Sequence, residues 1–273
     1  HAPIEEDEER RVITAGSDYF QSQTRLFLRR STDGGRTYDH GEELPYQLVA
    51  GGKELPGVGF YGSPDELIQL QSGRILAAFS FLDPARSEGA TGLQHYTVSC
   101  LLSDDGGRGW RRSGEITVDT PRGVMEPQIV ETEPDRLFCL FRTKGGYVYQ
   151  TLSEDGGETW SASVPSPLPA PESMTRMIRL RSGHLLAVWN NISSVTQQPR
   201  HPLTAAISRD GGRSWEPPKI IADETGENQL SNHGMIQLDD GRILLGISHY
   251  LATRPMCSDL DMAIFDEEWL NAK

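Results

Sequence analysis

The sequence predicts an all-β protein, a β-propeller built from four-stranded blades. Three observations predict this fold. A glycine-rich octet occurs four times, a pair of strand-like runs joined by a tight turn occurs four times out of phase with it, and no convincing amphipathic helix is present. Repeats of about 50 residues are typical of architectures in which each unit buries its faces against its neighbours.

The octet has the plan Ser, any residue, Asp, Gly, Gly, any two residues, aromatic. Its copies are STDGGRTY (31–38), SDDGGRGW (103–110), SEDGGETW (153–160) and SRDGGRSW (208–215), whose first serines are 72, 50 and 55 residues apart. In such a turn the Ser and Asp side chains bond backbone amides, and the glycines take positive φ angles. We therefore predict a structural turn between the last two strands of a blade, with no catalytic role.

The second repeat is a hairpin whose turn is Ser-Gly or Asp-Gly in three of its four copies, which suits a backbone with positive φ. Its copies are IQLQSGRILAAFS (68–80), VETEPDRLFCLFR (130–142), IRLRSGHLLAVWN (178–190) and IQLDDGRILLGIS (236–248). Residues 10–17, RRVITAGS, look like a fifth copy without its first strand. The last unit ends in DMAIFDEEWL (261–270), interpreted as a strand that pairs with N-terminal strands, and the proline-rich run 163–174 is interpreted as a crossing between blades.

Length and composition place the chain among globular proteins. We expect one propeller domain over residues 1–273, with 1–9 as an acidic, flexible segment. The net charge of −13 argues against a nucleic-acid partner, and no run approaches the roughly 18 to 20 apolar residues of a membrane span. A signal peptide is not recognisable, and a secreted or periplasmic location is compatible with the sequence.

Cysteine and histidine spacing predicts neither a disulfide framework nor a metal site. The three cysteines, Cys100, Cys139 and Cys257, are odd in number and widely spaced, so we expect buried thiols. His201 and His249 lack the spacing of metal ligands. The sequence therefore predicts no cofactor.

The octet is an Asp box, and the chain resembles the sialidase superfamily of β-propellers, especially bacterial sialidase-like proteins of the BNR-repeat type. The likeness covers nearly the whole chain. It implies the six-bladed sialidase fold, whereas five hairpin copies are visible here. Either the ring has five blades, or part of the first blade precedes His1. The Arg-Ile-Pro-like strand that carries the first substrate-binding arginine of sialidases is not found before Arg10.

Two further matches point to particular residues. In sialidases a Glu opens the inner strand of a blade and an Arg closes the next strand sixteen residues later, as Glu126 and Arg142 do here. Another Arg lies eight residues before the Ser of an Asp box, as Arg200 does. The resemblance implies that the two arginines bind a substrate carboxylate, which suits the planar guanidinium, and that Glu126 exchanges a proton or activates a nucleophile. A salt bridge that only orients Arg142 is the alternative for Glu126.

The remaining site residues are less sharply defined. Asp18, thirteen residues before Ser31, is the first candidate for the acid that protonates the leaving group, and Asp65 is its rival. Counting six residues back from Leu238, where sialidases have a nucleophilic Tyr, gives Asn232, with His233 next. The last two candidates are Tyr250, in the following loop, and Glu172, near an inner-strand start as a substrate contact.

Together these matches predict a glycoside hydrolase that removes a terminal carboxylate-bearing sugar, sialic acid or another, from a glycan, without a metal for its chemistry. Two other functions stay open. One is a non-catalytic Asp-box propeller that binds an anionic glycan or a protein, which the missing Tyr favours. The other is a lyase acting on uronate polysaccharides, with His233 and Tyr250 as base and acid.

Overall fold

A computed structural model describes residues 26–44, 66–83, 86–87, 94–254 and 258–272. These residues form almost only antiparallel β-sheets, which pack face to face in chain order as the blades of a β-propeller. The predicted fold class is therefore confirmed, with the blades described for part of the ring. Within these ranges no helix is long and apolar enough to cross a bilayer.

The described residues form five sheets, and in each the strands pair in chain order. The first is the hairpin of β1 (Leu26–Leu28) and β2 (Glu42–Leu44). The second contains β3 (Glu66–Gln69), β4 (Ile75–Leu82), β5 (Tyr96–Ser103) and β6 (Arg111–Arg112). The third contains β7 (Met125–Glu133), β8 (Arg136–Arg142), β9 (Tyr147–Ser153) and β10 (Val164–Pro169). The fourth contains β11 (Arg176–Arg179), β12 (Leu185–Asn190), β13 (Leu203–Ser208) and β14 (Lys219–Ala222). The last contains β15 (Gln229–Gln237), β16 (Ile243–Tyr250) and β17 (Ser258–Phe265).

Each of the four predicted hairpins forms the first two strands of a sheet, in the second, third, fourth and fifth sheets. Each hairpin turn carries a residue with positive φ. The φ angles are 90° at Gly73, 59° at Asp135, 89° at Gly183 and 94° at Gly241. Glycine adopts this conformation freely, and Asp is among the few other residues that tolerate it. The predicted turn chemistry is therefore confirmed.

The core lies between the sheets, because each large cluster of buried side chains combines residues of two neighbouring blades. One cluster joins the second and third sheets and includes Leu76, Cys100 and Cys139. Others join the third to the fourth sheet and the fourth to the last. Central strands such as β4 are buried on both faces, which explains their nearly continuous apolar sequence. Cys100 and Cys139 are buried free thiols, as predicted, and Cys257 lies outside the described residues.

The octets lie between the third and fourth strands of the four-stranded sheets, and between β1 and β2. In every copy the Ser hydroxyl lies 2.8 or 2.9 Å from the Asp carboxylate. The amide of the second glycine donates to the same hydroxyl at 2.8 Å. Hydrogen bonds from Thr37 lower the pKa of Asp33 to about 2, and those from Ser214 lower that of Asp210. The carboxylates are used to close the turn, which confirms the structural role.

The second glycine of the octet also packs against the preceding blade. A Cβ atom at Gly157 would lie 2.5 Å from Cδ1 of Leu76, and one at Gly212 would lie 2.5 Å from the ring of Phe138. Both leucine and phenylalanine belong to the core of the preceding sheet. The octet therefore joins a blade to its neighbour as well as closing its own hairpin.

The proline-rich segment was predicted as a crossing between blades, and the structure corrects this. Residues Val164–Pro169 form β10, the outer strand of the third sheet, with Val164 paired to Gln150 and Pro165 to Tyr149. An outer strand needs hydrogen-bond donors on one edge only, so it tolerates proline. The crossing to the next blade is the shorter run after Pro169.

The C-terminal segment is a strand only in its first half. After β17, residues Glu267–Asn271 form the short helix α1, and Asp266 caps it by accepting a hydrogen bond from the amide of Trp269 at 2.7 Å. The outward face of β17 exposes Leu260, Met262 and Ile264. Within the described residues β17 pairs with β16, and the predicted pairing of this unit with N-terminal strands stays a prediction.

We predict that Gly212→Ala destabilises the protein more than Gly211→Ala does. Both glycines have positive φ, of 92° and 73°, so both substitutions carry the backbone penalty of about 1–2 kcal/mol. Only at Gly212 does the added methyl group collide with the Phe138 ring, and overpacking of this kind costs a further 1–3 kcal/mol or so. Denaturant unfolding of both variants measures the difference, and equal losses would contradict the packing role.

Candidate active site

The predicted site residues gather at one end of the blades because of strand direction. Glu126 is the second residue of β7 and Arg142 the last of β8, and antiparallel pairing of Met125 with Arg142 brings the two to the same end. Arg200 lies just before β13 and forms a backbone bridge to Gln229, the first residue of β15. The first strand of each sheet starts, and the second strand ends, at the same end of the blades. The residues at these positions therefore form one surface.

Glu126 occupies a β-bulge. Residues 126 and 127 lie between the pairs Met125–Arg142 and Gln128–Leu140, so two residues of β7 oppose one of β8. The φ angle of Glu126 is 53°, which costs a non-glycine residue about 1–2 kcal/mol. Its amide donates to the hydroxyl of Ser80, 3.0 Å away on β4. Bulges redirect a side chain, and this one is held by the neighbouring blade.

Asn232 occupies the same kind of bulge in the last sheet. The register of β15 shifts between Ser231 and Gly234, and Asn232 has a φ angle of 47° with an exposed side chain. Among the described residues, Glu126, Asp135 and Asn232 are the non-glycine residues with positive φ. Asn232 is therefore the counterpart of Glu126 two sheets further on, at the end of the blades where the sequence placed it.

Ion pairs connect the charged residues at this end. Nη1 of Arg142 lies 3.0 Å from Oε1 of Glu126, and Nη2 lies 3.9 Å from Oε1 of Glu172. The same oxygen of Glu172 accepts a hydrogen bond from Nη1 of Arg122 at 2.8 Å. Arg142 and Glu172 are almost fully buried. Buried charges need partners, so these contacts hold the groups in place.

Arg200 joins the cluster through Glu172 and the last sheet. Its Nη2 lies 3.5 Å from the main-chain oxygen of Glu172, and its Nη1 lies 3.4 Å from the hydroxyl of Ser231. The structure therefore brings together Glu126, Arg142, Glu172 and Arg200, all of which were singled out in the sequence. We call these four residues and Arg122 the arginine–glutamate cluster.

Sequence reasoning missed Arg122. It lies in the loop between β6 and β7, in the run TPRGVMEP, and no repeat or motif marks it. The available signal is a basic residue four positions before Glu126. Its partner Glu172 lies 50 residues further along the chain, so the contact depends on how two blades pack.

The cluster combines three cationic groups with one open acceptor. Among the described residues, the guanidinium groups of Arg122, Arg142 and Arg200 meet the carboxyl groups of Glu126 and Glu172 or their main chain. Oε2 of Glu126 is buried and accepts no hydrogen bond from the described residues. A buried acceptor without a donor is costly, and a ligand proton at this point would relieve the cost. Chemically, the arrangement suits one anionic group beside one transferable proton.

His233 lies apart from this cluster. Its side chain is fully buried, and Nε2 lies 2.9 Å from the main-chain oxygen of Val188 on β12. Burial lowers the pKa of His233 to about 4, so the ring is neutral near pH 7. It follows Asn232 in the bulge and faces the core between the fourth and last sheets.

Of the remaining predicted site residues, one lies near Arg200 and two lie outside the described part of the chain. Tyr250 ends β16 and pairs with Gln229, which bridges to Arg200, so Tyr250 lies in the same row as Arg200. Asp18 and Asp65 lie outside the described residues. In the described part of the chain, no three His, Cys, Asp or Glu residues are grouped as metal ligands.

Fold and site define an Asp-box β-propeller with an arginine–glutamate cluster at one end of its blades. A model of the family described as BNR repeat-like domain matches residues 11–245. The chain belongs to this family of sialidase-type propellers.

The comparisons with individual proteins give the same picture. The chain is 26% identical over 211 residues to a sialidase of Bacteroides fragilis strain YCH46, covering 74% of this chain and 36% of the relative. It superposes on a mutant of the NanB sialidase from Streptococcus pneumoniae with a TM-score of 0.67 and 17% identity, over 89% of this chain and 36% of the other. It superposes on an intramolecular trans-sialidase from Ruminococcus gnavus in complex with oseltamivir carboxylate with a TM-score of 0.65 and 20% identity. That match covers 92% of this chain and 52% of the other. The chain thus spans about a third of the length of the curated relative.

The burial of His233 predicts a component of acid sensitivity. Its folded-state pKa, about 4, lies below the unfolded value of about 6.5, so the unfolded chain binds the proton first as the pH falls. This stability is present above pH 6.5 and is lost as the pH falls towards 4, by about 2 kcal/mol at pH 5. Urea unfolding at pH 7.5 and pH 5 measures the loss. We expect His233→Gln to reduce it and His40→Gln, at an exposed position, to leave it unchanged; equal losses in all three proteins would refute the assignment.

Proposed function

We propose that this chain forms the active-site end of a sialidase-type glycoside hydrolase, which removes a terminal carboxylate-bearing sugar from a glycan. One observation carries the proposal: Glu126, Arg142 and Arg200, from two different blades, converge with Glu172 at the same end of the sheets. The names of the relatives support the reaction class. Sialic acid is the first substrate to test, and uronic acids are the second.

Arg142 and Arg200 are proposed to bind the sugar carboxylate. Guanidinium groups stay charged at any working pH and match a carboxylate with two parallel hydrogen bonds. Burial of Arg142 strengthens its attraction to such a ligand, because little water competes there.

Glu126 is proposed to accept a proton during the reaction. As the oxygen of an attacking water bonds to the anomeric carbon, Glu126 takes the proton of that water through its open Oε2. The bond between the anomeric carbon and the glycosidic oxygen breaks, and an acid protonates the leaving oxygen. Asp18, with Asp65 as the alternative, remains the proposed acid. Asn232 cannot attack as a nucleophile, so water is the attacking group.

A second function has one observation in its favour. Asn232 is exposed in the bulge that corresponds to Glu126, at the place where the sialidase pattern has Tyr. A propeller with the carboxylate receptor and no nucleophile would bind an acidic glycan without cleaving it. For a uronate lyase, by contrast, His233 would have to reach solvent, and its burial counts against that role.

The decisive variant is Glu126→Gln, tested with aryl α-sialosides and aryl uronides. We expect turnover to fall by about 100- to 10,000-fold, the usual contribution of a general base, with little change in binding. Glu133→Gln is the matched control, because Glu133 lies on the same strand and pairs with Arg136 at 2.9 Å, but at the exposed opposite end. Undiminished turnover in Glu126→Gln would overturn the catalytic role. Binding of the acids by the unmodified chain without any turnover would establish the binding module.

Arg142→Lys tests recognition of the carboxylate. Lysine keeps the charge but loses the two-pronged geometry, so we expect the free acid to bind about 10- to 100-fold more weakly. The methyl ester of the same sugar lacks the negative charge, and its weaker binding should be unaffected. Calorimetric titration with both forms makes the comparison. Equal losses for acid and ester would show that Arg142 does not bind the carboxylate.

A further inference from the structure

Arg122 is held more firmly than a surface arginine. Its guanidinium carbon lies 5.4 Å from the centre of the Tyr96 ring, and Tyr96 is itself buried at the start of β5. Nη1 donates to Oε1 of Glu172 at 2.8 Å, and the side chain is 14% exposed. A stacked, ion-paired arginine has little freedom to turn. Arg122 is thus fixed in direction by the second sheet and points to the link between the third and fourth.

Glu172 is the point at which the three arginines meet. Its carboxylate lies between Arg122 and Arg142, and its main-chain oxygen is next to Arg200. Its amide donates to the main-chain oxygen of Thr196 at 2.7 Å, which fixes the backbone. The Glu172 side chain is only 1% exposed, so its carboxylate is enclosed by its neighbours.

We propose that Arg122 is a positioning residue, which neutralises Glu172 and thereby leaves Arg142 available to the substrate carboxylate. The inference rests on the proposed function, since it assigns a task to a residue that supports the proposed receptor. Two distances from Glu172 support this proposal. Glu172 lies 2.8 Å from Arg122 but 3.9 Å from Arg142, so its charge is engaged mainly by Arg122.

The consequence of removing Arg122 follows from charge balance. A buried carboxylate without its closest cation pairs with the next one, and that cation is Arg142. The Arg142 guanidinium would then close the 3.9 Å gap to Glu172 and lie between two carboxylates, Glu126 and Glu172. An incoming substrate carboxylate would have to compete with Glu172 for it. The expected defect is in binding of the anion, with the chemical step preserved.

The test is Arg122→Met, titrated calorimetrically with sialic acid and glucuronic acid, each as the free acid and as the methyl ester. We expect the free acid that the unmodified protein binds to be held at least about tenfold more weakly, corresponding to one charged hydrogen bond. Binding of the ester should change less than twofold. With a hydrolysed aryl glycoside, KM should rise and kcat should stay within about twofold. Arg122→Lys, which restores a cation near Glu172, should recover part of the affinity.

Arg112→Met is the matched control. Arg112 lies in the second sheet, on which Arg122 stacks, and its guanidinium carbon is 4.6 Å from the centre of the Phe81 ring. It pairs with Glu115 at 3.1 Å, but contacts no member of the arginine–glutamate cluster among the described residues. The Arg112→Met substitution thus removes a partly buried, stacked and ion-paired arginine that does not contact Glu172. An equal loss of acid binding in Arg112→Met would show a merely structural effect and overturn the proposal.

A double variant tests the route through Glu172. If Arg122 acts by neutralising Glu172, then Glu172→Gln makes it dispensable, and adding Arg122→Met should change acid affinity less than twofold. Additive losses would overturn the proposal, as would unchanged binding in Arg122→Met alone. Arg142→Lys, measured in parallel, separates the two hypotheses. If both Arg122→Met and Arg142→Lys leave acid binding intact, the proposed carboxylate receptor fails. If only Arg142→Lys weakens acid binding, the receptor stands and the role of Arg122 fails.

Discussion

The third and fourth sheets have two apolar faces each, and both faces are covered by neighbouring blades. This constraint accounts for the nearly unbroken apolar sequence of β4 and β8, which are buried on both sides. It also accounts for the second glycine of the octet. At Gly157 and Gly212 the neighbouring core approaches so closely that no side chain fits. The turn is thus part of the packing between blades.

The same stacking creates the site. Because every blade runs through its strands in the same order, the starts of inner strands lie at one end of all blades. Ser80 of the second sheet bonds the Glu126 amide of the third, and Ser231 of the last sheet lies next to Arg200 of the fourth, so four successive sheets contribute to this end. Charges this deeply buried are stable only when they pair, so Glu126, Glu172 and the arginines hold each other in position. Rigid strands around them fix the geometry before any ligand arrives.

Backbone geometry adds a further link between fold and chemistry. Two inner strands carry a bulge with a left-handed residue, Glu126 in one and Asn232 in the other. Asparagine tolerates this conformation, whereas glutamate adopts it at a cost that the surrounding structure has to offset. The bulge thus presents a carboxylate in one blade and a neutral amide in another. Asn232, at the position where the sialidase pattern has a tyrosine, separates the proposed water-attack mechanism from one that uses a tyrosine.

Much of the fold and part of the site were determined by the sequence itself. Hairpins, octets and the sixteen-residue spacing of Glu126 and Arg142 are local patterns, because strand alternation and turn chemistry act over a few neighbouring residues. The stacking of blades decided the rest. It joined Arg122 to Glu172 across 50 residues and buried His233 against Val188. It also made the proline-rich run Val164–Pro169 the outer strand of the third sheet. These contacts depend on distances between blades, which no local pattern of residue types encodes.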